Sequence, residues 1–418
     1  MKKAILTMLI VLLALTTVFA QGSQEQKQQD VTVRMWTFID PEGTGGRNVA
    51  LKQMITEFEA ENPGVHIVVE PKTHTTMTAE FLAAASTGTA PDIMWCSSGL
   101  LFGCIANGLL EPYENLFMKD WTAEQIADVD DAFFKFGEKD GKHYTLSLSK
   151  NAITLYYRSD LLEAAGCKIP TTFEELYEVA KKCTDSSKGV YGFGMQLTSG
   201  DYPLVTNYIL SKQDSLFNAD GTANFATEAG VEAMKYIKRF IDEGITPYEA
   251  ISKSGEDINL EFQAGKYAMM AYGFVRVGQI KSGASYNPDY VKVAPVPTGS
   301  WIDGWHVGVW SGSKVKEWAG KFVEKMYEPA SDLLWVNLGA QAPVRQSTKN
   351  LIEITDANDY IAVAGEIFGT GYNIPNDKSY EGVKEAFYGA LQKYIVNGMD
   401  PLQALKEAEE QFNKTNNR

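Results

Sequence analysis

Cysteine is scarce in this 418-residue chain, and the four that occur do not form a metal-binding pattern. Cys96, Cys104, Cys167 and Cys183 include no Cys-x-x-Cys pair and no cluster with histidine that would indicate a metal site. Cys96 and Cys104 would lie roughly 12 Å apart on a helix, too far for a disulfide. Cys167 and Cys183 flank a predicted helix and meet only if a loop folds back. We expect free, buried thiols.

Basic residues are also few, with 38 Lys and Arg against 53 Asp and Glu, for a net charge of −15. This charge disfavours binding to nucleic acid and to anionic membranes. The sequence contains no GxSxG, HExxH or P-loop motif, which argues against serine hydrolases, zinc proteases and nucleotide hydrolases. No cofactor and no metal are predicted, and we do not expect an enzyme.

The amino terminus has the pattern of a secretory signal peptide. Lys2 and Lys3 precede an apolar stretch that ends at Ala20 in a small-x-small cleavage site. The alternative, a membrane anchor, is disfavoured because the apolar run is short and residues 21–30 are polar. The residue directly after the cleavage site is Gln21 and not a cysteine, so a lipoprotein is not indicated. We expect cleavage after Ala20 and export to the periplasm.

The length and the order of elements predict two α/β domains. A mature chain of about 400 residues exceeds what one core usually holds. Apolar strands alternate with amphipathic helices near the start, and this βαβαβ order favours a parallel sheet. Farther on, strands at 144–148 and 153–157 are separated by a polar break at 149–151. Ser159 or Asp160 is then expected to cap a helix that stops at Gly166.

Five blocks of sequence, in order, resemble a known family. They are residues 91–95 (PDIMW), 141–166 (GKHYTLSLSKNAITLYYRSDLLEAAG), 262–270 (FQAGKYAMM), 304–314 (GWHVGVWSGSK) and 338–345 (LGAQAPVR). Together they resemble the extracellular solute-binding proteins of the sugar-binding family, which includes the maltose-binding proteins. The resemblance covers essentially the whole mature chain.

The resemblance implies a periplasmic-binding-protein-like α/β fold. Two discontinuous parallel-sheet lobes would be joined by a multi-crossing hinge, with the ligand cleft between them. The implied segments are 30–149 and 305–352 for the N-lobe, and 150–304 and 353–418 for the C-lobe. The implied function is that of a monomeric substrate-binding protein that delivers a carbohydrate to the membrane permease of an ABC importer.

Residues beyond the carboxyl ends of the strands are the candidates for ligand contact, because open α/β sheets bind ligands there. Sugars have apolar faces and polar rims, so a site for them needs flat rings together with amides or carboxylates. The candidates are Trp36, Asp40, Trp95, Ser98, Asn151, Gln196, Phe274, Arg276, Trp301, Asp303, Trp305, His306 and Tyr380.

The resemblance assigns roles to some of these positions. Asp40 and Trp95 fall where the maltose-binding proteins have a sugar-binding Asp and a sugar-contacting Trp. Ser98 and Asn151 replace acidic residues of those proteins, so the sugar need not be the same. Phe274 and Tyr380 fall near two stacking aromatics.

Several alternatives stay open at this point. Trp36 fits the core as well as the cleft, and Asp40 fits a turn as well as a ligand contact. His306 fits a structural hydrogen-bonding role as an alternative to ligand contact. Arg276 would suit an acidic sugar. A secreted glycan hydrolase is the alternative from another class, with Asp40 and Asp303 as its carboxylates. A subunit that presents its ligand to a chemoreceptor would use the same binding chemistry.

Overall fold

The structure is a computed structural model that describes residues 30–416, apart from 75, 135–136, 199–203, 298, 300, 340, 356–357, 370–371 and 374–379. The strands are β1 Val31–Thr37, β2 Val65–Pro71, β3 Ile93–Ser97, β4 Glu138–Lys139, β5 Lys142–His143, β6 Leu146–Arg158, β7 Tyr191–Gly194, β8 Tyr267–Gly273, β9 Val291–Pro295, β10 Trp301–Val309 and β11 Tyr372–Asn373.

The α-helices occupy the segments between the strands and the carboxyl-terminal part of the chain. They are α1 Gly46–Glu61, α2 Met77–Ser86, α3 Ser98–Ala106, α4 Ala123–Asp128, α5 Asp131–Phe134, α6 Ser159–Ala164, α7 Phe173–Cys183, α8 Leu204–Leu210, α9 Glu228–Asp242, α10 Gly255–Gln263, α11 Val277–Gly283, α12 Lys316–Met326, α13 Pro329–Gly339, α14 Gln346–Lys349, α15 Tyr360–Gly369, α16 Tyr380–Asn397 and α17 Pro401–Thr415. Within the described part of the chain, no helix is both long and apolar enough to span a membrane.

The first three long strands form the predicted parallel arrangement. β1 lies between β2 and β3 and runs parallel to both, with Trp36 opposite Glu70 on one side and Met94 on the other. Helices connect these strands because a parallel pair needs a crossover. The carboxyl ends of all three strands therefore lie at the same edge of the sheet.

β6 is the element that joins the two halves of the molecule. Its first half pairs with β10, from Leu146 opposite Val307 to Ala152 opposite Ile302. Its second half pairs with β8 on one side and β9 on the other. The polar stretch 149–151 was expected to break the chain into two strands, which was wrong, because β10 continues the ladder along it.

The sheets are mixed rather than parallel. One path of strands runs β2-β1-β3-β10-β6-β8-β7. β10 is antiparallel to β3 and to β6, and β6 is antiparallel to β8. The predicted class of fold is confirmed, but among the described strands the expectation of parallel pairing holds for β1–β3, for β7 with β8 and for the short pair β10 with β11.

Two large hydrophobic cores lie on either side of this crossing. One is built from residues between Val33 and Leu148 together with residues between Val307 and Val344. The other contains residues between Ile153 and Val296 together with residues between Val383 and Phe412. We call these halves the N-lobe and the C-lobe. The chain passes between them more than once, as expected for a hinge.

The helix that follows β6 starts differently from the prediction. Ser159 and Asp160 are its first residues, and the residue that caps it is Arg158, whose backbone is extended. The Arg158 side chain pairs with the Asp160 carboxylate, with Nε 2.7 Å from Oδ1. α6 ends at Ala164, and Gly166 has a φ of +62°, so the predicted glycine stop is confirmed.

Gly46 makes a close backbone contact between α1 and α13. A Cβ atom at this position would lie 1.7 Å from the carbonyl oxygen of Leu338. Gly46→Ala should therefore force the two helices apart and cost about 1–3 kcal/mol of unfolding free energy. Urea denaturation would measure this cost. Gly389→Ala on α16 is the matched control, because nothing lies within 4 Å of its Cβ; an equal loss in both variants would contradict the explanation.

Candidate functional site

Three aromatic side chains meet at the edge where β1, β2 and β3 end. Phe38 follows β1, His74 lies in the loop after β2, and Trp305 lies on β10. The ring centroids of Phe38 and Trp305 are 4.5 Å apart, and His74 is 6.5 Å from each of them. Phe38 and Trp305 are half-buried and His74 is exposed. We call these three residues the aromatic platform.

The crossing strands hold Trp305 in place. Trp305 is opposite Ser97 at the end of β3 and opposite Ser149 on β6. The register shifts between Trp305 and His306, and Leu148 of β6 is left without a counterpart. Such a bulge bends a strand and re-aims its side chains. The platform therefore lies beside the strands that connect the two lobes.

Arg47 adds a positive charge to the platform. Its guanidinium carbon lies 5.4 Å from the centroid of the Phe38 ring. The residue is in the first turn of α1, directly after the loop that contains Asp40. The site thus combines ring faces with a donor that suits hydroxyl or carboxylate oxygens.

Trp95 lies beneath the platform and not on it. Its side chain is 0% exposed. The ring meets Phe38 edge to face at 5.8 Å and Trp335 at 6.0 Å. In this conformation Trp95 presents no surface to a ligand, which differs from the stacking role expected from the sequence. Among the described residues its indole nitrogen has no hydrogen-bond partner.

Trp36 and Phe274 are also core residues in the structure. The Trp36 indole nitrogen donates to Glu70 at 2.8 Å, and Lys72 lies 4.1 Å from the ring centroid. Phe274 is 1% exposed and packs against Tyr360 at 5.7 Å, in a small C-lobe cluster. Of the two interpretations left open for Trp36, the structure therefore favours core.

His306 is buried behind the platform. Its Nδ1 lies 3.4 Å from the Thr145 hydroxyl, and its carbonyl oxygen accepts a bond from the Cys96 thiol. Burial lowers the pKa of His306 to about 3. The ring is therefore neutral near pH 7, and the structural interpretation of this residue fits better than ligand contact.

The predicted polar residues have different environments. The Asp40 carboxylate accepts from the Glu42 amide at 2.9 Å, which makes the residue a turn former before α1. Its side chain is nevertheless exposed. Asn151 accepts from the Val275 amide at 3.4 Å and so links β6 to the segment after β8. Arg276 is held by Gln279 at 2.6 Å.

Gln196 follows β7 and has unused hydrogen-bonding capacity. Its side-chain amide donates to the Thr198 carbonyl at 3.4 Å. Its Oε1 atom is buried and has no partner among the described residues. A buried acceptor without a donor is unfavourable, so this amide is well suited to receive a bond from a hydroxyl group.

Four predicted side chains lie outside the described part of the structure: Ser98, Trp301, Asp303 and Tyr380. The elements to which they belong are nevertheless defined. Ser98 begins α3 directly after β3, and Tyr380 begins α16. Asp303 is opposite Asn151 in the ladder of β10 and β6. Their contacts with a ligand remain predictions.

Phe38, His74 and Arg47 were not predicted as site residues. The rule that ligands bind beyond strand ends applies to Phe38, which lies directly after β1, but only Asp40 was named from that loop. The loop after β2 was not considered, although β2 belongs to the same parallel group. Applying the rule to every strand of the group would have found both aromatics. In the described part of the chain, no group of three metal-binding side chains is present.

Comparison with known proteins identifies the family. Residues 44–332 match the model of the bacterial extracellular solute-binding proteins. The chain belongs to that family. This solute-binding protein is 24% identical over 366 residues to a putative ABC transporter periplasmic-binding protein, YcjN, of Escherichia coli, covering 83% of this chain and 80% of the relative.

Two further matches are similar in extent. The galactooligosaccharide-binding protein of Bacillus subtilis is 24% identical over 382 residues, covering 86% of this chain and 85% of the relative. The GacH receptor of Streptomyces glaucescens, solved unliganded and with acarbose, superposes with a TM-score of 0.78 at 22% identity. It covers 93% of this chain and 98% of the receptor, which shows that the fold is shared.

Proposed function

We propose that this solute-binding protein takes up a neutral mono- or oligosaccharide on the aromatic platform, between the lobes, and delivers it to the permease of an ABC importer. The observation that carries the proposal is the contact of Phe38 and Trp305 at 4.5 Å, with both rings half-exposed at the strand ends. Flat rings cover the apolar face of a sugar. The relatives named for an ABC transporter and for galactooligosaccharide support the same assignment.

The hydrogen-bonding partners in this proposal come from both lobes. Asp40 and Arg47 would serve from the N-lobe. Gln196, Asn151 and Arg276 would serve from the C-lobe. Because groups on both lobes bind one ligand, binding favours the conformation in which the lobes are close. Solution scattering should then show a smaller radius of gyration with ligand than without; equal radii at saturation would contradict closure.

The export of the protein and the absence of catalysis are parts of this proposal. Cleavage after Ala20 would make Gln21 the first residue of the mature chain, which amino-terminal sequencing tests. The Asp40 carboxylate is engaged in a turn, which leaves it poorly placed as the acid or nucleophile of a hydrolase. Incubation with the bound saccharide should return it unchanged. Any cleaved product would favour the hydrolase.

Trp305→Ala tests the ligand site directly. Removal of the ring should lower the affinity for the bound sugar by about 10- to 100-fold, because the platform loses its central surface, worth about 1–3 kcal/mol. Titration calorimetry against a panel of saccharides measures the change. Unfolding midpoints should fall little, since Trp305 is only half-buried.

Trp318→Ala is the matched control for this measurement. Trp318 is a half-buried indole on α12, where Lys321 lies 4.2 Å from its ring. We expect the affinity of the Trp318→Ala variant for the sugar to equal that of the parent protein. Unchanged affinity of Trp305→Ala would remove the platform from the site. An absence of heat with any saccharide would refute the ligand class.

A further inference from the structure

Cys167 and Cys183 come together at the end of α6. The chain reverses at Gly166, whose φ is +62°, and the Cys167 amide donates back to the Leu162 carbonyl at 2.9 Å. The Cys167 thiol points to the Ala165 carbonyl at 3.5 Å, and the Cys183 thiol to the Leu161 carbonyl at 3.8 Å. These carbonyls are about one helical turn apart. The loop thus makes the fold-back that a contact between the two cysteines requires.

The two thiols are neighbours within the same core. Cys183 is buried in the C-lobe core, and Cys167 packs against that core from its surface. The Cys183 thiol bonds to a carbonyl of α6 and the Cys167 thiol to the carbonyl directly after that helix, so both thiols lie at the same end of α6. Burial, reinforced by Cys167, raises the pKa of Cys183 to about 12. Both sulfur atoms are free thiols in the structure.

Only the first of these thiols is accessible from outside. Cys167 is half-buried and lines an open surface cavity of about 540 Å³ with Tyr157, Lys168 and Ile169. Cys183 lies behind it and is buried. Cys96 and Cys104 in the N-lobe are both 0% exposed. An oxidant approaching from solvent therefore reaches Cys167 first.

We propose that Cys167 and Cys183 are a site of disulfide formation after export. The oxidant is a disulfide, either low-molecular-weight or that of a thiol–disulfide oxidoreductase. The Cys167 thiolate attacks one sulfur of the oxidant, forms a mixed disulfide and releases the first thiol. The Cys183 thiolate then attacks the Cys167 sulfur and releases the second thiol. Two protons and two electrons pass from the cysteines to the oxidant, and one intramolecular S–S bond forms.

The Cys167–Cys183 disulfide would link the loop after α6 covalently to the end of α7. Between the two cysteines lie about fifteen residues, which include all of α7 up to Cys183, so the bond would restrict the unfolded chain. This segment follows β6 and α6, at the start of the C-lobe. Oxidation would therefore stabilise the lobe next to the hinge without touching the aromatic platform.

The purified mature protein tests the proposal without any sugar. The protein is incubated with oxidised glutathione and then denatured, and its remaining thiols are alkylated. Two of its four cysteines should be alkylated, and peptide mapping should join Cys167 to Cys183. The melting temperature should rise by several degrees relative to the reduced protein. Because no ligand and no export step are involved, the result is independent of the proposed function.

Substitutions identify the cysteines responsible. The double variant Cys167→Ser, Cys183→Ser should show no change in melting temperature on oxidation. Cys104→Ala should keep the full response. Four alkylated cysteines after oxidation, only a glutathione adduct on Cys167, or a bond between Cys96 and Cys104 would each overturn the proposal.

Discussion

Trp95→Ala is expected to lower the unfolding free energy by about 3–5 kcal/mol, because it leaves a large cavity in a packed core. The ring is 0% exposed and contacts Phe38 and Trp335. Its neighbours on β3, Met94 and Cys96, are also fully buried, so the strand has little freedom to close the gap. Urea denaturation followed by circular dichroism measures the loss.

The effect on affinity separates the two interpretations of this tryptophan. If Trp95 only supports Phe38 from below, the folded fraction of the variant should keep more of its affinity than Trp305→Ala does. Trp318→Ala serves again as the control and should change stability much less, since Trp318 is half-buried. A variant that melts like the parent but no longer binds sugar would restore Trp95 to the site.

The position of Trp95 was predictable from the sequence, but its orientation was not. The residue lies near the carboxyl end of β3, as expected. Side chains on a strand point alternately to opposite faces. An alternation of polar and apolar residues identifies the face toward the cleft only when that face is polar. Four of the five residues of β3 are buried. The pattern is therefore uniform, and nothing in it distinguishes core from cleft.

The crossing strand shows a different limit. The polar stretch 149–151 interrupts an apolar pattern, so it was interpreted as a break. In the structure β10 supplies the hydrogen-bonding partners along that stretch, with Asp303 opposite Asn151. A long-range ladder of this kind overrides local propensity. The order of the five sequence blocks was enough to predict the fold class, because that prediction does not depend on how individual strands pair.

Acidification should test the environment of His306. Burial lowers the pKa of this histidine to about 3 in the folded protein, against about 6.5 when unfolded. Above pH 6.5 the ring is neutral in both states, and its contribution to stability is fully present. Below that pH the unfolded chain binds a proton that the folded protein excludes, so stability falls.

The expected loss due to this residue is about 2 kcal/mol between pH 6.5 and pH 5, at about 1.4 kcal/mol per pH unit. It continues to grow until the pH approaches the folded pKa. Urea denaturation at pH 7 and pH 5 gives the difference for the parent protein and for His306→Asn. The variant should lose less stability on acidification, whatever its stability at pH 7, because it has no proton to bind at this position.

His66→Asn is the control, since His66 is exposed on β2. It should keep the pH dependence of the parent. If the parent and His306→Asn lose the same unfolding free energy between pH 7 and pH 5, the ring takes up its proton in the folded state as well. Such a proton needs water or an acceptor beside His306, which lies directly after Trp305 on β10. In that case the residue would return to the candidate site as a group that a ligand can reach.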